Sequence, residues 1–206
     1  YRSWNCGTTM EIVENMPLSQ FYHISVDDAE PYNIYGGLQD NGSWYGPSSS
    51  SGGIITPRDW NSIGGGDGFR VLKHTTKPII YSEMQGAASV WRYNSETNQQ
   101  KTIQPLPQKG NPKLRFNWNA PMEISAHQPD RFYMGSQFLH KSEDMGDTWK
   151  IISPDLTTND SKKQDQENSG GLSMDNSGAE NHTTIFTIAE SPLDENILWV
   201  GTDDGN

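Results

Sequence analysis

Phe132-Tyr133-Met134-Gly135-Ser136-Gln137-Phe138, followed within a few residues by Ser142-Glu143-Asp144-Met145-Gly146-Asp147-Thr148-Trp149, decides the fold of this chain. The first stretch reads as two large apolar residues, two mostly small ones and a polar pair. The same order returns in Ile34-Tyr35-Gly36-Gly37-Leu38-Gln39-Asp40, in Ile80-Tyr81-Ser82-Glu83-Met84-Gln85-Gly86 and in Leu198-Trp199-Val200-Gly201-Thr202-Asp203-Asp204. A proline turn precedes each copy: Glu30-Pro31, Lys77-Pro78, Gln128-Pro129-Asp130 and Ser191-Pro192. The copies start about 46, 52 and 66 residues apart. Units of roughly 40–50 residues, each of short strands and turns, are the period of β-propeller blades. The fold expected is therefore all-β: a propeller of four-stranded blades, with about four whole or partial blades present.

The second stretch fits S-x-D-x-G-x-T-W at every fixed position. An aspartate in a hairpin turn accepts bonds from nearby backbone N–H groups. The glycine takes a positive φ. The tryptophan opens the next strand and buries its ring on a neighbouring sheet. Ser142, Asp144, Gly146, Thr148 and Trp149 are thus predicted to be structural.

Composition agrees with this reading. Only 32% of the 206 residues are hydrophobic, yet 7 Trp, 8 Tyr and 6 Phe are spread along the chain. That aromatic content separates it from disordered sequences, which cannot bury enough apolar surface to offset chain entropy. The 20 Gly and 12 Pro punctuate short apolar runs, the pattern of many strands joined by turns. Strands are predicted at Phe21–Val26, Gly53–Thr56, Phe69–Lys73, Ser89–Tyr93, Met122–Ser125, Phe138–Ser142, Trp149–Ile152 and Thr184–Ala189. A Ser/Gly stretch at 46–53 and a polar insertion from Thr157 to Asn181 are predicted as loops, the latter mobile and accounting for the longest interval.

The net charge of -11, with 15 scattered Lys and Arg, would repel a phosphate backbone and excludes nucleic acid as a partner. No apolar run has the length of a transmembrane segment. The single cysteine, Cys6, allows no internal disulfide. The five histidines have no zinc spacing, and no twelve-residue calcium loop is present, although Asp27-Asp28 and Asp203-Asp204 are acidic pairs. No metal and no cofactor are predicted. Gly64-Gly65-Gly66-Asp67-Gly68 lacks the Lys-Ser/Thr and the βαβ setting of a phosphate loop. The chain starts at Tyr1 and ends in Gly201-Thr202-Asp203-Asp204-Gly205-Asn206, a strand-turn; it is expected to be part of a larger protein, the remainder of which would be its first partner.

The stretch Gln20–Trp44 resembles bacterial sortilin-like proteins with BNR repeats, in which S-x-D-x-G-x-T-W is the Asp-box. Further points of similarity are Ile63-Gly64-Gly65-Gly66-Asp67-Gly68-Phe69, Arg115-Phe116-Asn117-Trp118-Asn119-Ala120-Pro121, Ser153-Pro154-Asp155-Leu156-Thr157 and Gly201–Asn206. The resemblance covers most of the chain. It implies a propeller, export to the periplasm, cell surface or medium, and a likeness to xyloglucanase propellers, which act through two aspartates in a cleft. It implies fold more firmly than activity.

Equivalent positions in the four repeats would gather Gln39, Gln85, Gln137 and Asp203 in one region, where amides and carboxylates offer paired donors and acceptors to sugar hydroxyls. The alternative is that they bond to neighbouring blades. Trp44 and Tyr45, beside the Ser/Gly stretch, are the aromatics expected to be exposed for stacking on a sugar. Asp40 and Asp67 are the candidate catalytic pair, since glycoside hydrolysis needs two carboxyls roughly 5–10 Å apart; both are equally explained as turn residues. Sialidase chemistry needs an arginine triad in a setting absent here. The expectation is an exported scaffold that binds a protein or a polysaccharide. The alternative is a glycoside hydrolase of the xyloglucanase type.

Overall fold

The computed structural model describes residues 3–11, 19–168, 173 and 181–206. Those residues build a propeller segment. Blade 1 is the meander β1 (Phe21–Val26), β2 (Asn33–Leu38), β3 (Gly42–Pro47) and β4 (Asn61–Gly64). Blade 2 is β5 (Gly68–Lys73), β6 (Ile79–Met84), β7 (Val90–Asn94) and β8 (Gln99–Thr102). Blade 3 is β9 (Met122–Ile124), β10 (Phe132–Gly135), β11 (Leu139–Ser142) and β12 (Lys150–Ile151). A fourth sheet pairs β13 (Ile185–Glu190) with β14 (Leu198–Thr202). Every pairing is antiparallel. First strands of successive blades pack on one another, β1 on β5, β5 on β9 and β9 on β13, which places them innermost.

The repeated segments are the second strands, β2, β6, β10 and β14. Alternation along a strand points successive side chains to opposite faces. The two large residues that open each repeat therefore face opposite neighbours. The second of the pair faces the following blade. Tyr35 packs with Val71 and Ile80 of blade 2. Tyr81 stacks on Phe132 of blade 3 with ring centroids 4.4 Å apart. Tyr133 packs with Ile185 and Ile188 of the fourth sheet. These tyrosines are 2%, 0% and 1% exposed. The first of the pair, as Ile80, Phe132 and Leu198, faces back into the preceding seam. Trp199 holds the forward position in β14 and is 70% exposed. Ile24 and Val26, on the opposite end face, are also exposed.

The small residues that follow have a steric cause. A Cβ on Gly37 would lie 2.2 Å from the Gly68 carbonyl carbon, and one on Gly135 would lie 2.6 Å from Ile185 Cγ2. At Gly37 and Gly135, β2 and β10 thus meet the first strand of the next sheet at a distance that excludes a side chain.

The Ser142–Trp149 turn adds a clamp at the outer rim of the seam between blades 2 and 3. Asp144 Oδ1 accepts from the Thr148 amide (2.8 Å) and the Ser142 hydroxyl (2.7 Å), and Oδ2 accepts from the Thr148 hydroxyl (2.6 Å). These bonds outweigh desolvation and hold its carboxyl down at about 2. Met145 and Gly146 take positive φ of 58° and 89°. The folded turn aims outward: Trp149 Nε1 donates to the Ile103 carbonyl (2.6 Å), and Arg92 donates to the Met145 carbonyl (3.0 Å) and to Asp147 (3.1 Å).

Two local expectations differ. Gly53–Thr56 is not a strand; the fourth strand of blade 1 is Asn61–Gly64. Ile54 is exposed, with no partner sheet to bury it, and the strand forms where Ile63 has Tyr35 to pack on. In the polar insertion, residues 169–172 and 174–180 lie outside the described residues. Its first part is tied down: Thr158 donates through its amide and hydroxyl to Asp204 Oδ2 at 2.7 and 2.6 Å.

Truncating the seam side chain separates core from surface. Tyr81→Ala is expected to cost about 3–5 kcal/mol, and Trp199→Ala under about 0.5 kcal/mol, read from urea unfolding of each variant. For Asp144, the folded carboxyl lies below its unfolded value of 3.8, so its stabilisation is present above about pH 4 and is lost as pH falls toward 2. The stability difference between wild type and Asp144→Asn should be constant above pH 4 and shrink below it; a difference independent of pH down to 2 would refute the turn's electrostatic role.

Candidate functional site

The second strands end in the residues expected to act together, and the structure gives each a place. The backbone N–H of Gln39 donates to the Gln20 carbonyl at 3.0 Å. Gln85 Oε1 accepts from the Asp67 amide at 2.9 Å. Gln137 Oε1 accepts from the Arg115 amide (2.8 Å), and its Nε2 donates to the Lys113 carbonyl (2.9 Å). Asp203 accepts from the amide and the hydroxyl of Thr184, both at 2.9 Å. In blades 1 and 2 and the fourth sheet, the residue after the second strand bonds to the residue just before the first strand; in blade 3 Gln137 bonds farther upstream, at Lys113 and Arg115. Gln137 is fully buried, which corrects its expected exposure to a ligand: its amide is committed to backbone on both sides. Gln39 and Asp203 are exposed, and Gln85 is half-buried.

The expectation for the aromatics is also revised. Tyr45 stacks on Tyr35 at 5.7 Å and packs into the seam with blade 2, because it is the direct cross-strand partner of Tyr35 and shares its face of the sheet. Trp44 is half-buried, with its Nε1 donating to the Asn41 carbonyl at 2.6 Å.

Asp40 and Asp67 do come together. Asp40 sits in the β2–β3 turn with φ of 57°. Asp67 ends the glycine run before β5. Its Oδ1 accepts from the Asp40 amide at 2.7 Å, and its own carbonyl accepts from the Gln85 amide at 3.0 Å. One carboxylate therefore fixes the turn that carries the other. Asp40 is exposed and Asp67 half-buried.

Tyr22, which the sequence reading passed over, stands beside this pair. A bulge between Phe21 and His23 breaks the β1–β2 register, and an extra residue in a bulge re-aims its side chain. Tyr22 stacks on Phe69 with centroids 4.2 Å apart and an interplanar angle of 21°. Its phenol is pushed up by desolvation and then by the charges of Asp67 and Asp40.

A second polar group lies between the inner strands. Asn119 Nδ2 meets His23 Nε2 at 2.8 Å, and burial followed by the charge of Arg70 lowers the His23 pKa. Glu83, in the small-residue position of β6, is 0% exposed. Neither of its carboxyl oxygens has a hydrogen-bond partner, nor has Arg70 Nε or Asn119 Oδ1. Burial raises the Glu83 pKa well above 4.5, and the Arg70 charge and the nearby Arg70 and Ala120 amides, which fall short of hydrogen-bond geometry, offset it only in part.

Among the described residues one group has the donors for a cation: His182, Asp203 and Asp204, whose ligand atoms lie within 4.8 Å of one another. Their carboxylates already accept from Thr184, Thr158 and Thr202. At the other acidic pair, Asp27 accepts from Asn33 and from the Tyr35 hydroxyl (2.8 Å). No helix among the described residues is long and apolar enough to cross a membrane.

No family profile matches the chain, and no curated protein matches it. Solved structures do. The GH74 xyloglucanase from Xanthomonas campestris is similar over 84% of this chain and 24% of its own, with 13% identity and a TM-score of 0.51. The extracellular domain of a one-component system from B. thetaiotaomicron is similar over 95% of this chain and 22% of its own, with 16% identity and a TM-score of 0.51. At such identities the likeness is one of fold. The chain spans about a quarter of each of these proteins.

Glu83→Gln tests the buried acid. Its folded pKa is raised, so the unfolded state gives up its proton first, and stability falls as pH rises from 4.5 toward the folded value. Glu83→Gln should be more stable than wild type at neutral pH, by a margin that grows from pH 4.5 upward in thermal melts. A variant less stable than wild type across that range would show the carboxylate to be ionised and paired.

Proposed function

We propose that this chain is part of an exported propeller that binds a glycan through the Asp40–Asp67 end of blades 1 and 2. The observation that carries the reading is the 2.7 Å bond from the Asp40 amide to Asp67 Oδ1. It gives Asp67 a holding task and leaves the exposed Asp40 carboxylate as an acceptor for hydroxyls. A fixed acceptor beside an aromatic face suits recognition, since few groups must be ordered on binding. Gln39 and Gln85 flank it with further amide donors and acceptors. Similarity to a xyloglucanase and to an extracellular sensor domain is compatible with a polysaccharide-facing role outside the cytoplasm, as is the resemblance to Asp-box, sortilin-like proteins. A protein partner for this surface is the competing occupant.

A second reading rests on the same pair. Two carboxyls on one surface are the minimum for glycoside hydrolysis. Hydrolysis, however, needs both carboxyls at the scissile bond, and Asp67 Oδ1 is occupied by the Asp40 amide.

Affinity electrophoresis in gels containing xyloglucan checks the binding reading. The chain should be retarded, and Asp40→Ala should migrate more freely. Prolonged incubation with xyloglucan should release no reducing ends. Reducing ends that appear with wild type and vanish with Asp40→Asn would establish the hydrolase instead.

A further inference from the structure

We propose that Tyr22 is the stacking platform of this surface and that its ligand is a neutral pyranose, bound with the ring against Tyr22 and its hydroxyls donating to Asp40 and Asp67. The proposal rests on the glycan-binding reading and adds the contact residue and the charge class of the sugar. Tyr22 is 37% exposed, while the ring behind it, Phe69, is buried. One face of Tyr22 is thus committed to the 4.2 Å stack, which fixes the plane of the ring. Alternation places Tyr22 on the same side of β1 as the exposed Ile24 and Val26. The bulge at Phe21/His23 separates it from that row and turns it toward Phe69 of blade 2. The Gln39 backbone amide donates to the Gln20 carbonyl just before β1, and Phe69 follows Asp67 by two residues, so Tyr22 stands beside the turn that the Asp40–Asp67 bond fixes.

An aromatic ring held in place offers an apolar face and a polar tip. A pyranose presents the complement: an apolar C–H face and a rim of hydroxyls. The two carboxylates accept from that rim. The same carboxylates, on a chain of net charge -11, repel a sugar acid. The chemistry thus selects neutral sugars over uronates.

The test uses the 206-residue chain and two probes, cellohexaose as a neutral oligosaccharide and oligogalacturonate as an acidic one, followed by calorimetry and by proton NMR of the sugar. Cellohexaose should bind, with sugar C–H protons shifted upfield by the ring. Tyr22→Ala should weaken binding about three- to tenfold, on the scale of aromatic contacts, and Tyr22→Phe should retain it. Oligogalacturonate should bind at least tenfold more weakly. Because Tyr22 lies at the surface, Tyr22→Ala should keep the wild-type circular dichroism spectrum, so a loss of binding reports contact. If wild type binds cellohexaose and Tyr22→Ala binds it equally well, the platform is refuted and glycan binding stands. Equal binding of oligogalacturonate refutes the charge selection. If wild type binds neither these probes nor xyloglucan, glycan binding falls and the platform falls with it.

Discussion

The seam between blades is the constraint on which the rest depends. One tyrosine per blade leaves its own sheet and fills the next, while the residue before it fills the previous one. The packing has a direction: Tyr81 reaches forward to Phe132, and Phe132 reaches back to Tyr81. At two of the seams the second strand carries no side chain at the closest approach, Gly37 and Gly135, and at the third it carries the buried Glu83. The polar residue at the strand's end then secures the chain entering the blade. Large pair, small pair and polar residue are consecutive in sequence because they are successive requirements of one strand.

That is also why this strand was legible from sequence and others were not. Each residue of the repeat answers to a fixed neighbour, so the four copies keep a common order. The outermost strand answers to little. Gln99–Thr102 is exposed at all four positions, and nothing in its composition distinguishes it from a loop. Blade 1's outer strand was sought at an apolar pair, Ile54-Ile55, although short strands take their place from what they pack on. The Ser142–Trp149 turn was readable because its inner bonds are local: the Asp144 carboxylate accepts from Ser142 and Thr148. Its attachment to Arg92 and Ile103 joins residues some fifty positions apart, and no local pattern records it.

The candidate site shows the same division. Asp40 and Asp67 attracted notice as acids among turn residues, and they do share a hydrogen bond. Gln137 was chosen by equivalence with Gln85, which was sound as a statement about position. Position does not fix exposure, and a neighbouring segment, Lys113–Arg115, covers Gln137 entirely. Tyr22 was hidden for the opposite reason. In sequence it alternates with Ile24 and Val26 as one more apolar residue on a strand, and a single bulge gives it a different outlook. Glu83 fits no pattern of its repeat. It is a carboxyl where the other repeats have Gly37, Gly135 and Gly201, and burial raises its pKa well above that of a free glutamate.

A seam with a forward and a backward partner has a further consequence for how such a protein changes over time. Each blade meets its neighbours through the same pair of surfaces, so the interaction is of nearest-neighbour type. A duplicated blade would find both of its contacts already in place, and a deleted one would leave two compatible surfaces to rejoin. Selection can lengthen or shorten the array while each site, carried on the loops of one or two blades, is inherited intact.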